Sequence, residues 1–304
     1  MPRVSVIMPC YNHARYVGES VATVLGQTFA DLELIVVDDK SKDNSVELLR
    51  EIASGDARLK LVVHEKNQGA SRSRNDGLHL AKGEFVGFCD ADDLWNPDKL
   101  ECQIKLLTEH SDCDLTYCDS VIIDEAGRLT GERFSHEFPS PTTVSGNFFE
   151  DLCVRNFINM TSVLVRRQPL GEQLFFDEGI KWVEDWWQWI RLSHRHRFVY
   201  EPRTLAQYRV HPQSTGLTQR PGICRNRWKV ARRNLQTHKD MPGRLQAVLW
   251  DQMGVELCGL GKRRQGIRFL RRALACSLTG GFTGTQFFKI GARMGLEQWR
   301  QMRA

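Results

Sequence analysis

The chain has 304 residues, 41% of them hydrophobic and 26% charged, which is typical of one large or two modest folded domains. No run approaches the roughly eighteen consecutive apolar residues of a membrane-spanning helix, and the first residues lack the form of a signal peptide. The nine cysteines are odd in number and contain no CxxC pair, which argues against a disulfide framework and a zinc site. We therefore expect a cytoplasmic protein.

Charge is distributed unevenly along the chain. Residues 220–304 contain 18 Lys and Arg against 4 Asp and Glu, a net charge of +14, whereas residues 1–219 contain 24 against 33, a net charge of −9. This asymmetry predicts two domains, 1–219 and a basic helical extension over 220–304. A basic tail indicates an anionic partner, such as a membrane surface, a charged glycan or a nucleic acid. Nucleic acid is disfavoured because the arginine-rich segment lacks interleaved aromatic residues.

Apolar runs alternate with helical patterns through the first part of the chain. The predicted strands are 4–8, 32–37, 59–63 and 83–88, and the predicted helices are 16–29, 46–53 and 70–82. Such short alternation is typical of an α/β fold with a doubly wound, mostly parallel sheet. The later pattern predicts helix 97–110, strand 115–123, a loop through 146, helix 147–154, strand 160–165, an extended segment 198–210, amphipathic helices 228–235, 244–257 and 264–274, and a Gly-rich stretch from Gly280.

Polar groups follow each of the first four predicted strands, at 9–12, 38–39, 67–69 and 90–93. Because ligands of open α/β sheets bind beyond the carboxyl ends of the strands, we expect these groups to meet at one edge. Asp90, Asp92 and Asp93 place three carboxylates within four residues, and a divalent cation would relieve their repulsion. An acidic turn before the helix start at Asn96 and Pro97 explains the same residues without a ligand. The segment alone leaves both interpretations open.

Five motifs in this order resemble those of the family 2 glycosyltransferases: VSVIMPCYN (4–12), VDDKSKD (37–43), NQG (67–69), RN with Gly77 (74–77) and DAD (90–92). The run EDW (184–186) resembles the family's later acidic motif, and the resemblance covers about residues 3–215. It implies the GT-A fold, a Rossmann-like sheet flanked by helices. It also implies inverting transfer of a sugar from a nucleotide-diphosphate donor, with a UDP-sugar favoured, assisted by Mn²⁺ or Mg²⁺. The acceptor implied is a glycan or a lipid-linked glycan in polysaccharide or surface-glycan biosynthesis.

The resemblance also implies the residues of the donor site. Asp92 would ligate the metal ion, Asp90 would share it or reach the ribose, and His211 would approach it. Asp39 would accept the imide N–H of uracil. The other residues implied at the nucleotide are Pro9, Tyr11, Asn12, Asn67, Gly69, Arg74 and Ala91. Plainer explanations stay open: a packed aromatic ring for Tyr11, an ordinary turn at 67–69, a surface ion pair for Arg74 and polar surface for His211.

An inverting transfer needs a base that removes the proton of the acceptor hydroxyl. The resemblance implies Asp185 as this base and Glu184 as a supporting or acceptor-binding group. Adjacent carboxylates in a partly desolvated cleft would raise one pKa, although a helix N-terminus also attracts acidic residues. At helical spacing, Trp186 and Trp189 are predicted to lie in the core, whereas Trp187 is predicted to stack on the acceptor.

The arginine-rich end of the chain has two interpretations. Arginines at 263, 264, 268, 271 and 272 flank the apolar Ile267, Phe269, Leu270 and Leu274. This pattern predicts either a helix on an anionic bilayer, with peripheral attachment to the inner face of the membrane, or a helical domain with a solvated basic face. No feature of the sequence indicates the oligomeric state.

Two other functions fit parts of the pattern. A sugar-nucleotide pyrophosphorylase shares the layout and the metal dependence, but it would need a Gly-rich loop with a basic residue after the first strand, where residues 9–12 read PCYN. A non-catalytic module that binds nucleotide-sugars or glycans would leave Glu184 and Asp185 unexplained.

Overall fold

The computed structural model describes residues 1–141 and 144–279. The chain forms two compact units. Among the described residues, the first unit consists of Met1–Leu152, Asn156–Gly179 and Glu184–Pro212, and the second of Cys153–Arg155, Ile180–Val183 and 213–279. The Gly-rich stretch predicted from Gly280 lies outside the described residues.

Ten strands in the described part of the first unit form one mixed sheet. They are β1 (Val4–Cys10), β2 (Leu32–Asp38), β3 (Leu59–Val63), β4 (Phe85–Phe88), β5 (Leu94–Trp95), β6 (Leu115–Ile123), β7 (Leu129–Arg133), β8 (Ser145–Gly146), β9 (Val163–Arg166) and β10 (Phe198–Arg209). The order across the sheet is β3-β2-β1-β4-β9-β6-β10-β5, with β7 beside β6 and β8 beside β10.

The N-terminal strands form the parallel part of this sheet. Strand β1 pairs in parallel with both β2 and β4, and β2 pairs in parallel with β3. All seven residues of β2 are buried, which accounts for its unbroken apolar run, because parallel strands are covered on both faces. Strand β9 is antiparallel to β4 and β6, and β10 is parallel to β6. The predicted α/β class with a mostly parallel central sheet is confirmed.

Helices connect and flank these strands. Up to residue 193 they are α1 (Val17–Leu25), α2 (Ser45–Gly55), α3 (Ala70–Leu80), α4 (Lys99–Glu109), α5 (Phe134–Glu137), α6 (Phe149–Val154), α7 (Arg167–Leu170) and α8 (Glu184–Ser193), with short 3₁₀ helices at Met160–Ser162 and Gly171–Leu174. The strand predicted from residue 160 begins only at Val163, because the Asn159 side chain accepts a hydrogen bond from Thr161 N at 3.1 Å and caps a 3₁₀ turn.

The described part of the second unit is helical. Its elements from Gln213 onward are α9 (Thr215–Thr218), α10 (Arg220–Thr237), α11 (Gly243–Gly259) and α12 (Arg263–Thr279). Helices α11 and α12 approach closely at Gly254, where a Cβ atom would lie 2.7 Å from the Leu270 side chain. The rings of Trp250 and Phe269 stack with centroids 5.4 Å apart.

The packing of α12 bears on the bilayer interpretation. Ile267 and Leu270, from its apolar side, are 7% and 0% exposed. Because that side is buried within the helical unit, the expectation that it enters a bilayer is wrong, and the interpretation as a helical domain with a basic face holds. Among the described residues, every helix is too short or too polar to span a membrane.

Candidate active site

The loops after β1, β2 and β3 are fastened to one another at the carboxyl ends of the strands. Asn12 Oδ1 accepts a hydrogen bond from Lys42 N at 2.7 Å. The Asp39 carboxylate accepts hydrogen bonds from Gln68 N and Gly69 N, both at 2.7 Å. The polar groups predicted to meet at one edge of the sheet therefore do so for these loops.

Asp39 organises the turn that precedes α3. It is 3% exposed, and His64 Nδ1 lies 2.8 Å from its Oδ1 in addition to the two backbone donors. Gly69 has a φ of 91°, in the left-handed region that favours glycine. A carboxylate has about four lone-pair directions, and these three contacts use three of them. Sequence reasoning missed His64, whose only signal was its position at the end of a predicted strand.

The remaining residues predicted at the nucleotide differ in accessibility. Tyr11, in the loop after β1, is 38% exposed. Asn67 Nδ2 donates to the carbonyl oxygen of Asp39 at 3.2 Å. Pro9 lies within β1, and Ala91 is buried with its carbonyl oxygen accepting from a serine hydroxyl at 2.9 Å. Of these four residues, Tyr11 is an exposed aromatic residue, so its packing against a base stays a prediction.

Arg74 joins two acidic motifs that lie far apart in the sequence. It belongs to α3 and is 4% exposed. Its Nη2 donates a hydrogen bond to Asp90 Oδ1 at 2.7 Å. Its Nη1 donates to Glu184 Oε1 at 2.8 Å, and these two residues are 110 positions apart in the sequence. The guanidinium is therefore buried and bound to two carboxylates. The expectation of a surface ion pair is wrong.

The end of β10 is bound to the acidic motif that follows β4. Arg209 N donates to Asp93 Oδ1 at 2.9 Å, and Arg209 Nε donates to the carbonyl oxygen of Asp92 at 2.8 Å. Burial, together with the charges of Asp92 and Asp90, raises the pKa of Asp93 well above its ordinary value. These bonds place His211, two residues beyond the strand, with Nε2 3.0 Å from Asp92 Oδ2. His211 is 4% exposed, so it is not mere polar surface.

His13, Asp92 and His211 form a cluster that fits a divalent ion. One ligand atom from each residue lies within 4.8 Å of the others, and donors at about 2.1 Å from one ion lie up to about 4.2 Å apart, so small side-chain adjustments suffice. Burial raises the pKa of Asp92, but the hydrogen bond from His211 and the nearby His13 hold it below its ordinary value. Asp90 is not part of this cluster. Sequence reasoning missed His13, which directly follows the predicted loop 9–12.

Asp185 has the chemistry expected of a general base. It lies in the first turn of α8, where its Oδ1 accepts from Trp186 N at 2.7 Å and its Oδ2 accepts from Asn156 Nδ2 at 2.9 Å. Burial, reinforced by the negative charge of Glu184, raises the pKa of Asp185 to about 7. A carboxylate with this pKa is partly ionised at neutral pH and takes up a proton readily.

Asn156 is expected to position this base. Its hydrogen bond favours the ionised carboxylate, so Asn156→Ala should raise the pKa of Asp185 by about one unit. The acidic limb of the kcat/KM profile would move to higher pH, with about fivefold less activity at pH 7 and recovery by about pH 9. Asn147→Ala is the matched control. The exposed Asn147 accepts a hydrogen bond from the backbone N–H two residues further along, as Asn156 also does from Ile158 N. An unchanged profile in Asn156→Ala would show that this residue has no influence on the base.

The tryptophans of α8 belong to the core. Trp186 Nε1 donates to Leu152 O at 2.6 Å and Trp189 Nε1 to Ile158 O at 3.2 Å, as expected for buried indoles. Trp187 is 5% exposed. The prediction that it offers a stacking surface is therefore wrong, because α8 is buried on the side that carries Trp187 as well.

Comparison with known proteins decides the family. The model of glycosyl transferase family 2 matches residues 5–170. The chain belongs to this family. It is 30% identical over 241 residues to the putative teichuronic acid biosynthesis glycosyltransferase TuaG of Bacillus subtilis, covering 79% of this chain and 88% of TuaG. Over 108 residues it is 42% identical to the Escherichia coli UDP-Glc:alpha-D-GlcNAc-diphosphoundecaprenol beta-1,3-glucosyltransferase WfgD, covering 36% of this chain and 42% of WfgD.

Solved structures of similar fold support the same architecture for this family 2 member. The Staphylococcus aureus TarS 1–349 structure in complex with UDP-GlcNAc has a TM-score of 0.65 at 20% identity, covering 91% of this chain and 81% of that one. The mannosyltransferase PcManGT of Pyrobaculum calidifontis, in complex with GDP-Man and Mn²⁺, has a TM-score of 0.63 at 19% identity. The match covers 99% of this chain and 84% of PcManGT. The GT-A fold is confirmed, and family membership favours a glycosyltransferase over a pyrophosphorylase or a non-catalytic module.

Proposed function

We propose that this glycosyltransferase moves a sugar from a UDP-sugar to a hydroxyl group of a glycan or lipid-linked acceptor, with inversion at the anomeric carbon. The observation that carries the proposal is the buried Arg74, which bonds to Asp90 in the acidic motif after β4 and to Glu184 beside Asp185. One side chain thereby fixes the proposed donor centre relative to the proposed base. Inverting transfer requires a base held in a fixed position relative to the donor, because the acceptor oxygen attacks from the face opposite to the leaving group, and the Arg74 bonds support such an arrangement.

The proposed donor site lies at the carboxyl edge of the sheet. Asp39 would accept the imide N–H of uracil, and Tyr11 would pack against the base. Asp92 and His211 would hold a divalent ion, which when bound neutralises the charge that develops on the diphosphate. Asp90 would stay bound to Arg74 and reach the ribose rather than the ion.

Asp185 would act as the general base. As the acceptor oxygen forms its bond to the anomeric carbon, the carboxylate takes the hydroxyl proton, and the bond between that carbon and the diphosphate oxygen breaks. The products are the glycoside, protonated Asp185 and the nucleoside diphosphate. Glu184 contributes by its charge, which helps to keep the pKa of Asp185 near neutrality, and by its bond to Arg74.

The names of two relatives support the proposed classes of donor and acceptor. The name of WfgD specifies a UDP-Glc donor and a diphosphoundecaprenol-linked acceptor, and that of TuaG specifies teichuronic acid biosynthesis. We therefore propose a role in cell-surface polysaccharide biosynthesis. The charge of +14 over residues 220–304 supports electrostatic attraction to an anionic membrane, where a lipid-linked acceptor would lie. This contact would use the basic surface alone, since the apolar side of α12 is buried.

A donor screen tests this proposal. The full-length protein would be incubated with Mn²⁺, an alkyl-diphosphate-linked GlcNAc acceptor and either one of several α-linked UDP-sugars or GDP-mannose. We expect nucleotide release with a UDP-sugar and a β-linked product by NMR. An α-linked product would contradict inversion, and turnover of GDP-mannose alone would contradict the uridine assignment. Binding of every donor without release would favour the non-catalytic module.

A further inference from the structure

The candidate metal cluster contains two imidazoles and one carboxylate. His13 lies in the loop after β1, Asp92 in the loop after β4 and His211 beyond the end of β10. The His13 and His211 rings meet edge to face, with centroids 6.1 Å apart and an interplanar angle of 88°. Three separate parts of the first unit thus bring two imidazoles and one carboxylate close together.

The backbone of His13 is fixed independently of its ring. His13 N donates to Ser45 Oγ at 3.1 Å, and its carbonyl oxygen accepts from Tyr16 N and Val17 N, both at 2.9 Å, at the start of α1. The ring atom Nδ1 is buried and has no hydrogen-bond partner among the described residues. A buried imidazole nitrogen without a partner is costly unless it binds a ligand.

The other two carboxylates of the acidic motif after β4 have partners of their own among the described residues. The Asp90 carboxylate is turned to Arg74, with Oδ1 at 2.7 Å from Nη2. The Asp93 carboxylate receives a hydrogen bond from Arg209 N at 2.9 Å. Among the described residues, Asp92 is the carboxylate that forms a cluster with the two histidines.

We propose that His13 is a third ligand and that the two imidazoles make this centre select Mn²⁺ and later transition-metal ions over Mg²⁺. Mg²⁺ prefers oxygen ligands in near-ideal octahedral geometry and gives up its water reluctantly. Imidazole nitrogen suits transition metals, whose affinities rise from Mn²⁺ to Co²⁺ for a given site. The inference rests on the proposed assignment of the metal site to Asp92 and His211, and it goes beyond it by naming a ligand and an ion preference.

Calorimetric metal titration of the full-length protein with saturating UDP tests the inference. Mn²⁺, Co²⁺ and Mg²⁺ would be titrated into the wild type, His13→Ala and His13→Asn. The control is His79→Ala, because His79 is exposed and lies outside the cluster. We expect wild-type Kd values in the order Co²⁺ < Mn²⁺ < Mg²⁺, with at least about a tenfold gap between Mn²⁺ and Mg²⁺.

His13→Ala should weaken Mn²⁺ binding by about 10- to 100-fold, comparable to the loss of an orienting partner of a metal ligand, and Mg²⁺ binding by less than about threefold. His13→Asn, which offers an amide oxygen, should lower the ratio of Mn²⁺ to Mg²⁺ affinity while the centre still binds metal. Unchanged Kd values and an unchanged ratio in both variants would overturn the inference.

Asp92→Asn separates this inference from the proposed function. If Asp92→Asn binds Mn²⁺ as tightly as the wild type, the metal site is wrongly placed, and both its assignment in the proposed function and the role of His13 fail. If Asp92→Asn abolishes binding but His13→Ala leaves the Mn²⁺ Kd unchanged, the site stands and the role of His13 alone is refuted. Since the backbone bonds of His13 do not involve its side chain, we expect folded variants, which circular dichroism checks directly.

Discussion

Replacing Asp185 with asparagine should lower sugar transfer by about 10²- to 10⁴-fold, the usual contribution of a positioned base, while UDP binding stays within about threefold of the wild type. The amide cannot accept the acceptor proton, but its oxygen can still accept the hydrogen bond from Trp186 N. The measurements are kcat/KM for transfer and the Kd of UDP by calorimetry.

Glu172→Gln is the matched control for this substitution. Glu172 is an exposed carboxylate of the first unit outside the candidate site, so its loss should leave both kcat/KM and the Kd of UDP unchanged. Transfer by Asp185→Asn within about threefold of the wild type would remove Asp185 from the mechanism.

The pH dependence of the wild type follows from the same carboxylate. Burial and Glu184 raise the pKa of Asp185 from 3.8 to about 7, so the active, ionised base is present above pH 7 and is lost as the pH falls. We expect kcat/KM to fall about tenfold per pH unit below that point. Between pH 3.8 and 7 the folded protein keeps a proton that the unfolded chain has lost, so this group lowers stability as pH rises through that window.

Replacing Asp92 with asparagine should remove the stabilisation that metal and nucleotide give together. Asp92 supplies the carboxylate that faces His13 and His211, and an amide is a much weaker ligand for a divalent ion. We expect the Kd of UDP in the presence of Mn²⁺ to rise by at least about 10- to 100-fold, and the Kd measured without metal to change little.

Asp98→Asn is the control for this prediction. Asp98 lies six residues further along, just before α4, and is not part of the metal-ligand cluster. It should bind UDP with Mn²⁺ as the wild type does. Equal binding of UDP with Mn²⁺ by Asp92→Asn and the wild type would contradict the assignment of the metal site.

The parallel part of the sheet could be predicted because its strands are buried on both faces. Strands β1 and β2 read as apolar runs, and α1 buries Val17, Val21 and Val24 at helical spacing. Strand β7 was not predicted, because all five of its residues are exposed and it therefore carries no apolar pattern. A strand of this kind depends on its pairing with β6, which local sequence does not encode.

The edge of the sheet that carries the candidate site could also be predicted, but most of its contacts could not. Topology alone brings Asp39 to the turn at Gly69. The bond between Arg74 and Glu184 spans 110 residues and depends on how α3 and α8 are placed in the fold. The same limit applies to His13, which is far from Asp92 in the sequence and lies close to it only in the folded chain.

Periodicity misled the interpretation of Trp187 and left that of α12 open. Helical spacing assigned Trp187 to an accessible side of α8, but neighbouring segments bury that side as well. In α12, an amphipathic pattern fits both a bilayer and a packed helical unit, since each buries one apolar face. The sequence pattern reports that a face is buried but not what covers it.

Thermal unfolding with nucleotides is the most direct test of the proposed metal-assisted UDP-sugar site. The full-length protein would be melted with UDP, dTDP, GDP or CDP at millimolar concentration, each with and without Mn²⁺. A ligand that binds the folded state raises Tm by mass action, and we predict the largest increase for UDP with Mn²⁺ and a much smaller one for UDP alone. If no nucleotide raises Tm in the presence of Mn²⁺, the proposed donor site is contradicted.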